Sequence, residues 1–112
     1  MTQERVVYVN GDIVPESEGK VSFRDQGFVY GDGVFDTTRT FGGQIFKLNE
    51  HVDRLFDSLK YLRIDPGLNK SKIIDLTMQV LNANLSLLGE NEDYWVSQRI
   101  SRGVRTKEGS NP

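Results

Sequence analysis

The sequence predicts an α+β domain: a mainly antiparallel sheet with two helices packed on it. Three observations point there. The turn-forming pairs Asn10-Gly11 and Gly42-Gly43 each sit between apolar, β-branched or aromatic runs. Apolar spacing becomes helical at Asn49, and a strand-like run returns at residues 94–101. Strands, two helices and a closing strand within 112 residues leave room for one core, with the helices on a face of the sheet. No repeat, low-complexity tract or internal domain boundary interrupts that order.

The first hairpin joins Val6-Val7-Tyr8-Val9 to Ile13-Val14-Pro15 through Asn10-Gly11-Asp12. Asn-Gly readily takes the positive φ angles of a type I′ turn, whose twist matches its strands. Residues 16–20 are a polar connection. Residues 21–33 carry Val21, Phe23, Phe28, Val29 and Tyr30, but Gly27, Gly31 and Gly33 break any regular element, so a loop with unusual φ angles is expected. Val34 to Phe41 is β-branched and aromatic, and Gly42-Gly43 turns it into a second strand at residues 44–48.

Asn49 is a good N-cap, with Glu50 and Asp53 in the first turn, where negative charge suits the helix dipole. Val52, Leu55, Phe56, Leu59 and Leu62 then form one helical face, ended by Asp65-Pro66-Gly67. A second helix is expected over residues 71–88, with Ile73, Ile74, Thr77, Val80, Leu81 and Leu85 on its apolar side and Gly89 closing it. After the last strand, only Val104 is apolar beyond Gly103.

Composition removes several classes of function. Lys plus Arg is 14 against 16 Asp plus Glu, a net charge of −2, so no overall signature of nucleic-acid or membrane-surface binding exists. Without cysteine there is no disulfide, thiolate nucleophile or cysteine zinc site, and a histidine-based site would rest on His51 alone. No apolar run approaches the ~18 residues of a membrane span, and the first residues do not read as a signal peptide. A cytoplasmic protein is the expectation.

Four places hold residues suited to chemistry. Gln26 to Gly33 is glycine-rich but matches neither a P-loop nor a helix-opening dinucleotide turn; it either serves backbone geometry or presents Phe28 and Tyr30 to a small-molecule pocket. Asp25, Asp32 and Asp36 lack the spacing of a calcium loop. Arg54 follows His51 by three residues on one helix face, where a guanidinium near a helix N-terminus suits a phosphate, or else pairs with Glu50 or Asp57. On the strand 34–41, Phe35, Thr37, Arg39 and Phe41 share one face, with Asp36, Thr38 and Thr40 on the other. Arg39 is therefore either stacked and paired, or aimed at a pocket. Arg99, Arg102, Arg105 and Lys107 cluster near the last strand's end, as an anion site or a polar exit.

Taken together, Asn10-Gly11, the run Asp25-Gln26-Gly27-Phe28-Val29-Tyr30-Gly31-Asp32-Gly33-Val34-Phe35, the run Phe46-Lys47-Leu48-Asn49-Glu50-His51-Val52-Asp53-Arg54-Leu55 and Ser101-Arg102-Gly103 resemble the class IV (fold type IV) pyridoxal-phosphate enzymes, the branched-chain and D-amino-acid aminotransferase family. The resemblance covers nearly the whole chain. It implies that Arg54 binds the phosphate of pyridoxal 5'-phosphate, and that Tyr30, Phe35 and Arg39 line the substrate side. Members acting on D-amino acids clamp the substrate carboxylate with an Arg and a His beyond the Arg-Gly. Residues 105–108 here are Arg-Thr-Lys-Glu, so Arg105 or Lys107 is the candidate substitute.

The family's cofactor-bonded lysine lies in a second, C-terminal domain, and none of the six lysines here matches its context. The expectation is thus one small N-terminal domain over residues 1–112, inactive alone. It would form part of a homodimeric or higher homo-oligomeric transaminase that moves an amino group between an amino acid, branched-chain-like, or an amine and a 2-oxo acid. An aminodeoxychorismate lyase of the same fold and a non-catalytic dimerisation or binding module are the alternatives.

Overall fold

The computed structural model describes residues 4–104. Strands β1 (Val6–Val9) and β2 (Asp12–Pro15) form the expected hairpin, and its turn residues Asn10 and Gly11 take φ of 49° and 102°. A short helix α1 (Gln26–Tyr30) follows, then β3 (Gly33–Phe41) and β4 (Gln44–Ile45) around Gly42-Gly43. Helices α2 (Leu48–Leu62) and α3 (Lys70–Asn84) precede the last strand, β5 (Trp95–Ser101). The fold is α+β as expected, but its strands form two antiparallel sheets: β1-β2, and β4-β3-β5 with β3 central.

Three boundaries differ from the sequence expectation, each for a local reason. Residues 26–30 are helical because Asp25 Oδ1 accepts the Gly27 N–H at 2.8 Å, while Gly31, at φ 68°, closes the turn on the carbonyls of Gln26 and Gly27. Gly27 serves packing: a Cβ there would lie 2.7 Å from Ser101 Cβ, so its absence lets α1 lie against β5. Helix α2 begins at Leu48, since Lys47 makes the reversal at φ 50° and its carbonyl accepts the His51 N–H; Asn49 sits inside the first turn rather than capping it. Helix α3 stops at Asn84, whose side chain hydrogen-bonds the Val6 N–H and carbonyl at 2.8 and 2.9 Å and so fastens β1 to the helix end.

The core lies where α2 meets β3 and α3. Val52, Leu55 and Leu59 are 0 to 2% exposed, and Leu48, Ile64 and Ile73 complete the buried cluster. Residues 3, 4 and 7 apart along α2 make that stripe, as the spacing required. Val34 and Ile100, opposite each other across β3 and β5, pack against it from the sheet. No helix among the described residues is long and apolar enough to cross a membrane.

Candidate functional site

Strand β3 presents two faces of different character. Its even-numbered residues point toward α2 and are buried: Asp36 is 6% exposed, Thr38 4% and Thr40 0%. A buried carboxylate must be paired, and α2 supplies the partners from two positions one turn apart. Arg54 donates from Nε to Asp36 Oδ2 at 2.7 Å and from Nη2 to Oδ1 at 3.0 Å, a two-pronged pair. His51 Nδ1 lies 2.6 Å from Oδ1. The ionised carboxylate only accepts, so Nδ1 carries the hydrogen; its 3.3 Å approach to Arg54 Nη2 then joins two donors and is no hydrogen bond. The hydrogen bond from Arg54, followed by that from His51, holds the Asp36 carboxyl below its usual value against the opposing effect of burial. In return, Asp36 makes the Arg54 guanidinium still harder to deprotonate.

Arg54 is therefore held at one edge and free at the other. Its side chain is 67% exposed, and Nη1 has no hydrogen-bond partner among the described residues. It borders a shallow depression of about 400 Å³ that Val34, Asp57, Ser58, Tyr61 and Leu62 also line, so one carboxylate shares it with the guanidinium. The arrangement can bind an anion: a fixed fork with an open donor edge, beside hydroxyls from the same helix. Neither Glu50 nor Asp57, the partners weighed from sequence, takes the guanidinium.

The odd-numbered face of β3 is open. Phe35 is 63% exposed and Phe41 53%. Register places Trp95, Ser97 and Arg99 of β5 directly opposite Arg39, Thr37 and Phe35, so these residues share the face. The Arg99 guanidinium lies 4.9 Å from the Phe35 ring centre, and the hydroxyls of Thr37 and Ser97 are 3.1 Å apart. Arg39 is both stacked, 4.1 Å over Phe41, and paired, with Nη2 3.4 Å from Asp93 Oδ2. Asp93 also accepts from Thr40 Oγ1 at 2.6 Å and the Gly43 N–H at 3.2 Å, joining the β3–β4 turn to the entry of β5. Thr40's hydrogen bond, then those of the turn amides, lower the Asp93 carboxyl's pKa, with Arg39 adding a smaller share.

Phe35 and Arg39 are thus brought together, whereas Arg54 lies on the α2 side of the same strand. Tyr30 ends α1 with 72% exposure and shares no ring contact with Phe35. Arg102 is a tie within the fold, bonded to Asp32 at 2.7 Å and to the carbonyls of Leu62 and Arg63 at the end of α2. Arg105 and Lys107 lie outside the described residues. The sequence reading missed Asp36 as the holder of Arg54 and Trp95 as Arg39's neighbour. Both signals were in the strands: a carboxylate on the helix-facing side, and the alternation Trp95, Ser97, Arg99.

The family model for amino-transferase class IV matches residues 33–107, more than half of the chain. A protein of Methanocaldococcus jannaschii with the provisional name branched-chain-amino-acid aminotransferase is 42% identical over 98 residues, 88% of this chain and 32% of its own length. A D-alanine aminotransferase of Staphylococcus aureus is 29% identical over 106 residues, 95% of this chain and 36% of its length. Among solved structures, the branched-chain aminotransferase of the thermophilic archaeon Thermoproteus uzoniensis with norvaline superposes with a TM-score of 0.75 at 26% identity, over 87% of this chain and 33% of that one. This chain therefore spans about a third of the length of the relatives it matches. With the residue pattern, the two-faced sheet and the family match in agreement, the chain belongs to the class IV aminotransferases.

Proposed function

We propose that this chain is the N-terminal small domain of a pyridoxal-phosphate-dependent aminotransferase that moves an amino group between a branched-chain-like amino acid and a 2-oxo acid. The observation that carries this reading is Arg54, fixed by Asp36 through Nε and Nη2, with no partner for Nη1 among the described residues and with the side chain bordering a depression that bears two hydroxyls. That fits the phosphate of the cofactor: a planar guanidinium edge oriented in advance by its carboxylate partner. Bound there, pyridoxal phosphate would supply the electrophilic carbonyl and electron-withdrawing ring that this chain's own side chains lack.

The residues present have separate tasks. Arg54 holds the phosphate, and Asp36 with His51 keeps its fork in place. Phe35, Arg39 and Tyr30 shape the substrate side. Strand β4 pairs only with Thr40 and Phe41, so no strand among the described residues lies along the β3 edge from Gly33 to Thr37. A ligand reaching around that edge can meet Arg54 on one face and Phe35 on the other. The lysine that bonds the cofactor comes from the rest of such a protein, as do most pocket walls. A homodimer and a cytoplasmic location go with this reading.

The test uses the longer protein that carries these residues. Amino transfer should require a 2-oxo acid acceptor, and Arg54→Ala should weaken cofactor retention markedly. Unchanged cofactor affinity removes Arg54 from the site. Pyruvate release without an acceptor replaces the transaminase reading by the lyase.

A further inference from the structure

Two arginines stand on the open face of β3 and β5, and the fold treats them differently. Arg39 donates from Nε to the Thr40 carbonyl at 3.0 Å, pairs through Nη2 with Asp93 and stacks on Phe41. Asp93 does not depend on it, because Thr40 Oγ1 at 2.6 Å and the Gly43 N–H at 3.2 Å hold the carboxylate in place. The charge of Arg39 is thus compensated before any ligand arrives. Arg99 is the opposite case. Among the described residues no carboxylate or carbonyl accepts from its side chain, and its guanidinium lies 4.9 Å from the Phe35 ring centre. A ring under the face of a guanidinium limits its motion and leaves its N–H edge open.

Register puts Thr37 and Ser97 between the two cations. Ser97 Oγ donates to the Asp36 carbonyl at 3.3 Å, so in the 3.1 Å contact between the hydroxyls Thr37 is the donor. Both hydroxyl hydrogens are then spent within the sheet. The pair offers a ligand lone pairs and no hydrogen, which disfavours an anion there. Beyond it Trp95 and Phe41 are 77% and 53% exposed, an aromatic end whose cation is already neutralised.

We infer that Arg99 binds the α-carboxylate of the substrate, and that Asp93 withholds Arg39 from that role, leaving the Arg39–Trp95 end for an uncharged side chain. The inference deepens the transaminase reading above and rests on it. A substrate entering at the β3 edge from Gly33 to Thr37 meets the Phe35 ring first, with Arg99 directly across the strand pair. Two N–H groups of one planar fork directed at a carboxylate fix its orientation. The side chain then runs along the strands, over the hydroxyls, toward Trp95. A carboxylate placed at Arg39 instead would lie beside Asp93, a like-charge contact.

The test uses the longer protein that carries these residues and two probes that bind without turnover, isocaproate and its uncharged amide. Titration calorimetry gives the affinity of each, and their ratio separates recognition of the charge from recognition of the side chain. The parent protein should favour the carboxylate. Arg99→Gln should remove about 10- to 100-fold of that preference, as for one charge-assisted hydrogen-bonded pair, and Arg99→Lys should restore part of it. Arg39→Gln should weaken both probes together and keep their ratio. A parent without preference, a ratio unmoved by Arg99→Gln, or one lost in Arg39→Gln instead overturns the proposal. Should Arg99→Gln not fold, Arg99→Met, which keeps the stem beside Phe35, takes its place. Asp93→Asn forms a second arm: with Arg39 released, glutarate should gain severalfold on isocaproate. An unchanged glutarate-to-isocaproate ratio means that Asp93 withholds nothing. Transamination is scored separately, since neither probe carries an amino or keto group. The expected ratios in a protein that transfers no amino group keep Arg99 as the carboxylate ligand and sink the functional reading. An active protein whose ratio ignores Arg99 does the reverse.

Discussion

The two faces of β3 differ in what holds them. On the α2 side Asp36 is enclosed and bonded to two partners, above a core whose central side chains are at most 2% exposed. On the other side Phe35 and Trp95, 63% and 77% exposed, stand across from the cations Arg99 and Arg39. A strand whose neighbouring residues serve such different surroundings has one face for stability and one for contact with something else. Folding energy should therefore be concentrated on the even-numbered side, and substitutions on the odd-numbered side should change recognition with little effect on stability.

The largest expected effect tests the enclosed side. Leu55→Ala, at 0% exposure, should cost about 3 kcal/mol, within the 2–5 usual for removing a buried leucine side chain. Urea unfolding of the isolated chain measures it. A cost below about 0.5 kcal/mol, typical of surface changes, would place the core elsewhere and break the contrast.

Asp36 comes next, through pH. Its folded pKa lies below the ordinary value of 3.8, so its contribution is fully present above that value and is lost as pH falls through the lowered one. Asp36→Asn should lower the melting temperature near pH 7, and the gap to the parent chain should close on acidification below pH 4. A gap unchanged down to pH 2 would mean that the pair with Arg54 adds nothing through charge. Asp93→Asn should act with the same sign and a smaller amplitude, because the Asp93 side chain is 21% exposed against 5% for Asp36 and its cation, Arg39, adds only the smallest share of its shift.

These sites also show what the sequence made legible. The helical stripe of Val52, Leu55 and Leu59 could be read from spacing, because burying a helix on one side needs only its own periodicity. The partition of β3 could be read from alternation for the same reason. What could not be read was pairing across the chain. Asp36 and Arg54 are 18 residues apart and Arg39 and Asp93 are 54 apart, and their meeting depends on the register and packing of elements whose ends were misplaced by one to four residues. Helix α1 escaped because its formation relies on a single Asp25 cap and a glycine chosen for contact with β5, neither of which leaves a periodic trace.

The smallest expected effect on stability sharpens the contrast most. Phe35→Ala removes an exposed ring that stacks with the Arg99 guanidinium, and exposed contacts of that kind add about 0.5–1 kcal/mol. Melting of the isolated chain should thus shift by no more than a few degrees. If the odd-numbered face meets substrate, the same change in the full-length protein should raise KM for a branched-chain amino acid while leaving cofactor retention, assigned to the opposite face, as it was. Arg54→Ala should show the converse, losing cofactor with a smaller change in substrate preference. Equal loss of both properties in both variants would mean that the two faces serve one undivided pocket, and that the division along β3 concerns packing alone.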